Sequence, residues 1–130
     1  MSVELKREIE GIEIFGYEFI IPGRKEEWKV FCEAQESPLS VSMARQVLEV
    51  MVLISKGDSY DHIVTYSGSR MNHSGNSWAW ILYQVARFHP QGVEFARKCG
   101  DGAIMRSLEP DLLLFEEENK TLLNSSVHKK

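Results

Sequence analysis

The residues most able to do chemistry crowd into "TYSGSRMNHSGNSWAW", residues 65–80, where Tyr66, Arg70, Asn72, His73, Asn76 and Trp80 lie within four helical turns of sequence. Arginine, tyrosine and tryptophan are the side chains that dominate binding hot spots. A polar segment held between rigid elements is where function usually sits. The stretch therefore reads as a binding loop, with Tyr66, Arg70, Asn72, His73, Asn76 and Trp80 as its contact residues. Catalysis has less to stand on. Serines are plentiful but no GxSxG elbow occurs, and no His or Asp can be tied to a particular Ser. His62, His73, His89 and His128 lack the short spacings of metal sites and neither cysteine sits in a CxxC, so no metal and no cofactor are expected.

Two other chemistries fit the same residues. "KGDSYDHIVTYSGSRMNHSGNSW" resembles the first half of a helix-turn-helix: a polar start, Tyr60, the apolar pair Ile63-Val64, then Gly68 where such motifs turn. That resemblance implies a DNA-binding regulator over residues 58–87, with Arg70, Asn72 and His73 on bases or phosphates. Ser74-Gly75 stands where the recognition helix needs an apolar residue, so the pattern fails in its second half. In the third chemistry, Gly75, Asn76 and Ser77 open a helix whose unpaired N–H groups attract phosphate, making a nucleotide-like ligand site with Tyr66, Trp78 or Trp80 stacked on a base. Neither GxxxxGK[ST] nor GxGxxG is present.

The elements that must position these residues begin with "REIEGIEIFGYEFIIPG", where apolar and polar residues alternate. Alternation predicts strands near 9–14 and 17–21 joined at Gly16, an N-terminal β-hairpin. Trp28, Phe31, Cys32 and Gln35 then recur at helical spacing and predict a helix over 24–35. Ser37 as a cap, Pro38 at the first helical position and Lys56-Gly57 at the end bound a second helix, whose stripe of Val41, Ala44, Val47, Leu48, Met51 and Ile54 makes it the core. Asp58 is expected to cap a short helix carrying Tyr60, Ile63 and Val64. Asn76 or Ser77 is expected to cap another, in which Trp78 turns inward with Ile81, Leu82 and Val85 while Trp80 turns outward. Val93, Ala96 and Cys99 continue a helical period after Pro90, and Leu112 to Phe115 is either a third strand or one helical turn. The whole reads as α+β, an N-terminal hairpin followed by four or five helices, with a single domain over 1–123 and a flexible tail over 124–130.

Composition sets the wider frame. A chain of 130 residues with 43% hydrophobic and 26% charged content has the profile of one globular domain. Its longest aliphatic run, Val50 to Ile54, is far short of a membrane span, and "MSVELKREIE" lacks the apolar core of a signal peptide, so no membrane association and a cytoplasmic location are expected. Cys32 and Cys99 fit that reducing compartment as buried thiols. Residues 1–39 carry five Lys/Arg against nine Asp/Glu, residues 40–100 six against four, and residues 101–130 four against six. Only the middle is basic, and the net charge of −4 disfavours a nucleic-acid partner. The expected function is that of a small non-enzymatic binding protein, an adaptor, inhibitor or regulator of the size that phages and mobile elements carry as accessory proteins. Its partner is expected to be a protein, and the apolar surplus of Val41–Ile54 leaves room for a homodimer contact.

Overall fold

A computed structural model describes residues 2–71 and 75–128, and the side chains of residues 2–67 and 77–125. Its described residues form seven α-helices and no strand: α1 Val3–Gly16, α2 Lys25–Glu33, α3 Pro38–Ser55, α4 Tyr60–Met71, α5 Gly75–Phe88, α6 Gly92–Cys99 and α7 Gly102–His128. The α+β expectation is thus corrected to an all-helical one.

The N-terminal hairpin is replaced by α1, and the reason lies in a second period hidden in the same residues. Ile9, Ile12 and Gly16 are buried, at the spacing of a helix face, whereas Ile14, which completed the apparent alternation, is 66% exposed. Ser2 starts the helix by accepting a hydrogen bond from the Leu5 N–H. Gly16 is a packing requirement and not a turn. A Cβ there would come 2.5 Å from Trp28 Nε1, and that nitrogen donates to the Glu13 carbonyl. The second expected strand is a single 3-10 turn at Tyr17–Phe19 followed by extended, buried Ile20 and Ile21. Ile21 N–H donates to the Phe88 carbonyl at 2.9 Å, which ties this segment to the end of α5.

Two further elements depart from expectation. Leu112 to Phe115 is neither a strand nor one turn but part of α7, which runs through Pro110 and presents Leu108, Leu112, Phe115 and Asn119 inward at i, i+4, i+7 and i+11. Asp101 caps its start by accepting from the Ile104 N–H. The stretch read as a loop from residue 65 is helical to Met71, with Thr65 Oγ1 bonded back to the Asp61 carbonyl, and helical again from Gly75. Ser59, not Asp58, caps α4 by accepting from the His62 N–H.

Helix α3 has the expected start: Ser37 and Ser40 form a reciprocal capping box around Pro38 at the first helical position, and Gly57 follows its end at φ +84°. By length and composition it could cross a membrane, with a mean hydropathy of 1.3. In the structure its Val41, Ala44, Val47, Val50 and Met51 are completely buried, the pattern of a core helix. Beside it lies α5, which also packs on α6 and α7, while α1 and α4 cover α3 and α2 covers α1. The helices α3 and α5 run in the same sense. Trp80, near the start of α5, sits beside Leu39 and Met43 at the start of α3, and His89, just beyond the end of α5, meets Ser55 at the end of α3.

Candidate binding site

Because α5 is covered on several sides, with Ile81, Leu82, Val85, Ala86 and Phe88 all completely buried, neither tryptophan at its start is left fully outside. Trp78 packs toward α6, its Nε1 donating to the Cys99 carbonyl at 3.4 Å and its ring edge-on to Phe95. Trp80 packs the other way, its ring tilted 35° against Phe31 of α2 at 5.7 Å. Both are half-buried. The outward-facing Trp80 expected from sequence is therefore a partly core residue with one face left over.

That face lines a groove of about 450 Å³ together with Gln35, Ser37, Leu39, Met43 and Ser77. Leu39 is 73% exposed, one turn before Met43 on α3. The rim is fixed in place: Gln35 Nε2 donates to the Phe31 carbonyl at 2.7 Å, and Ser37 is held by its capping box. Among the described residues, no ionisable side chain lines the groove. An indole, a thioether and an exposed leucine make an apolar floor, with hydroxyls and an amide at the edge. Such a surface can bury an apolar or aromatic side chain and hydrogen-bond the chain that carries it.

Of the other expected contact residues, Tyr66 is the one whose side chain is described. Tyr66 lies on α4 in a different groove, with Phe15 of α1 and Val52 and Leu53 on another side of α3. Arg70 falls in the last turn of α4 and Asn76 in the first turn of α5; their side chains, like the whole of Asn72 and His73, lie outside the described residues. Since α5 starts at Gly75, Asn76 and Ser77 are inside the helix and not its cap. Helix α4 passes through Gly68 to Met71, so the turn that a helix-turn-helix needs at Gly68 is absent.

One pair resembles catalytic machinery that the sequence did not reveal, Ser55 and His89, whose Oγ and Nε2 are 2.7 Å apart. The histidine is almost fully buried, and its Nδ1 accepts from the Gln91 N–H at 3.0 Å. An Nδ1 that accepts carries no proton, so the proton of the neutral ring is on Nε2 and is donated to Ser55. A general base needs the reverse: an unprotonated Nε2 facing the hydroxyl and an Nδ1–H held by a carboxylate. Burial also pushes the His89 pKa down to about 4, which keeps the ring neutral at physiological pH. The pair clamps the ends of α3 and α5 together.

No family model, curated protein or solved structure matches this chain.

Arg24 is likewise committed to structure. Arg24 is 6% exposed; its Nε donates to Asn119 Oδ1 at 2.8 Å and its two terminal nitrogens to Glu27 and Glu118 at 2.9 and 2.7 Å. Asn119 in turn donates to the Ala86 carbonyl, so one arginine fastens α7 to α2 and α5. Sequence gave no signal for this seam, whose members stand 95 positions apart. Cys32 and Cys99 are unbonded thiols. Burial raises the Cys32 pKa strongly and that of Cys99 to about 11, so neither is a thiolate nucleophile at neutral pH. Among the described residues, no three His, Cys, Asp or Glu side chains gather as metal ligands would.

Proposed function

We propose that this protein is a non-enzymatic binding protein, an adaptor, inhibitor or regulator, that engages a protein partner through the Trp80 groove. The observation that carries the reading is the groove itself: a mainly apolar recess, its described lining residues uncharged, beside a leucine that is 73% exposed. Aromatic and aliphatic anchors packed into such recesses supply most of the energy of protein contacts. The centre of action moves from the expected loop to the starts of α3 and α5. A cytoplasmic setting accords with two unbonded cysteines.

Exchanging Leu39→Asp together with Trp80→Ala tests the reading. Both proteins are used to capture partners from cells of the source organism, with nucleic acid retained. The reading expects a protein retained by the wild type and lost from the double variant, while the circular dichroism of the two stays alike. Retention of the same protein by both variants, or retention of nucleic acid alone, would end it.

A further inference from the structure

Helix α1 contains a glycine for which the fold offers no use. Gly16, Gly23, Gly92 and Gly100 each face atoms that a Cβ would strike at 2.8 Å or less, and Gly57 has a positive φ. Gly102 stands open, but at the first residue of α7, where the helix has only begun. Gly11 stands in the middle of α1, exposed, and a Cβ there would meet nothing within 4 Å. Mid-helix glycine costs helix stability, and its common compensation is close approach by another backbone. Among the described residues, no backbone of this chain makes that approach.

The surroundings of Gly11 are those of an unfinished contact. One turn on, Ile14 and Phe15 are 66% and 59% exposed, and Phe15 borders the groove of about 300 Å³ that Glu49, Val52, Leu53, Lys56 and Tyr66 line. One turn on either side of Ile14 come Glu10 and Glu18, both exposed, with no cationic partner among the described residues. Helix α1 has no basic residue in its last turn, so the negative end of its dipole adds to these carboxylates. Residues 3–19 hold five glutamates against Lys6 and Arg7, of which Arg7 stands one turn before Gly11 on the same face.

We propose that the face formed by Gly11, Ile14 and Phe15 of α1, with Glu18 of the turn that follows, docks a cationic amphipathic helix of a partner protein. The glycine lets the incoming backbone approach, Ile14 and Phe15 bury its apolar stripe, and Glu10 and Glu18 meet its lysines or arginines. This surface is separate from the Trp80 groove and does not rest on it.

The test uses a labelled Leu/Lys amphipathic peptide of about four helical turns and a Leu/Glu peptide of the same spacing, each titrated into the full chain and followed by fluorescence anisotropy. The Leu/Lys peptide should bind and the Leu/Glu peptide should not. Ile14→Ser with Phe15→Ser should weaken binding roughly tenfold or more, and Glu10→Gln with Glu18→Gln should weaken it less and remove its salt dependence. Gly11→Gln gives the sharpest reading, because the melting temperature should rise by a few degrees while binding falls. Leu113→Ser with Leu114→Ser removes an exposed apolar pair beside the acidic residues 116–118 of α7 and should change nothing, as should Trp80→Ala. Equal loss in the α7 variant, binding that ignores Gly11→Gln, or absence of Leu/Lys binding overturns the proposal. So does a dimer in sedimentation that Ile14→Ser dissolves, since the occupant would then be a second copy.

Discussion

The two ends of the α3–α5 pair carry opposite kinds of surface. At one end His89 spends both ring nitrogens, on Ser55 and on the Gln91 N–H, inside a nearly closed environment. At the other end Trp80, Leu39 and Met43 leave apolar area open and carry no charge with which to close it. The residues that look most reactive are those whose capacity for reaction has been used up by packing. The residues that look inert are the ones with something left to bind. Function is better sought in unspent surface than in residue type.

The largest effect should come from the middle of the pair, which both ends depend on. Met51→Ala opens a cavity at a completely buried position of α3 and should cost about 2–5 kcal/mol in urea unfolding. A much smaller cost would mean that the helices are not held together where the contrast between their ends requires.

Next comes acid at the closed end. His89 is neutral in the fold down to about pH 4, while the same group in the unfolded chain binds a proton near pH 6.5. Between those values the unfolded state holds more protons, so stability is complete above about pH 6.5 and falls by about 3 kcal/mol as the pH drops toward 4. Thermal melts across that range should show the loss in the wild type and a flatter profile in His89→Gln. An identical profile would place the acid sensitivity elsewhere.

The open end should respond weakly in stability. Trp80→Ala removes a half-buried ring and its contact with Phe31, for about 1–2 kcal/mol, and Leu39→Asp should change little, because the leucine is mostly in water. Smallest of all is Ser55→Ala. The hydroxyl is at an exposed residue and the His89 Nε2–H can donate to water in its place, so a loss below about 1 kcal/mol is expected. A fluorophosphonate probe should leave Ser55 unlabelled. Labelling that depends on His89 would erase the contrast between the two ends.

The same division governs what could be read from the sequence. Helix α3 was legible because its signals are local and redundant: Ser37 before Pro38, a six-residue apolar stripe and a terminal Gly57. Helix α2 was legible from Trp28, Phe31 and Cys32, all buried. Helix α1 was hidden because Ile12, Glu13 and Ile14 satisfy a period of two while Ile9, Ile12 and Gly16 satisfy 3.6, and only tertiary packing reveals that Ile14 faces water. Of the expected contact residues, Trp80 does line a groove, but its companions there, Leu39 and Met43, come from a helix earlier in the chain. Tyr66 went to another groove for the same reason: α4 continued where a turn was expected. The Arg24–Asn119 seam and the Ser55–His89 clamp join positions that no local pattern relates.

The central claim is that the open end meets a protein. Its most direct test places a photo-crosslinking amino acid at position 39, with a second chain carrying the same group at exposed Lys120 as the control, and irradiates intact cells. The account predicts one discrete protein adduct from position 39 that is absent from position 120 and disappears when Trp80→Ala is added. No adduct from position 39, or the same adduct from both positions, would contradict it.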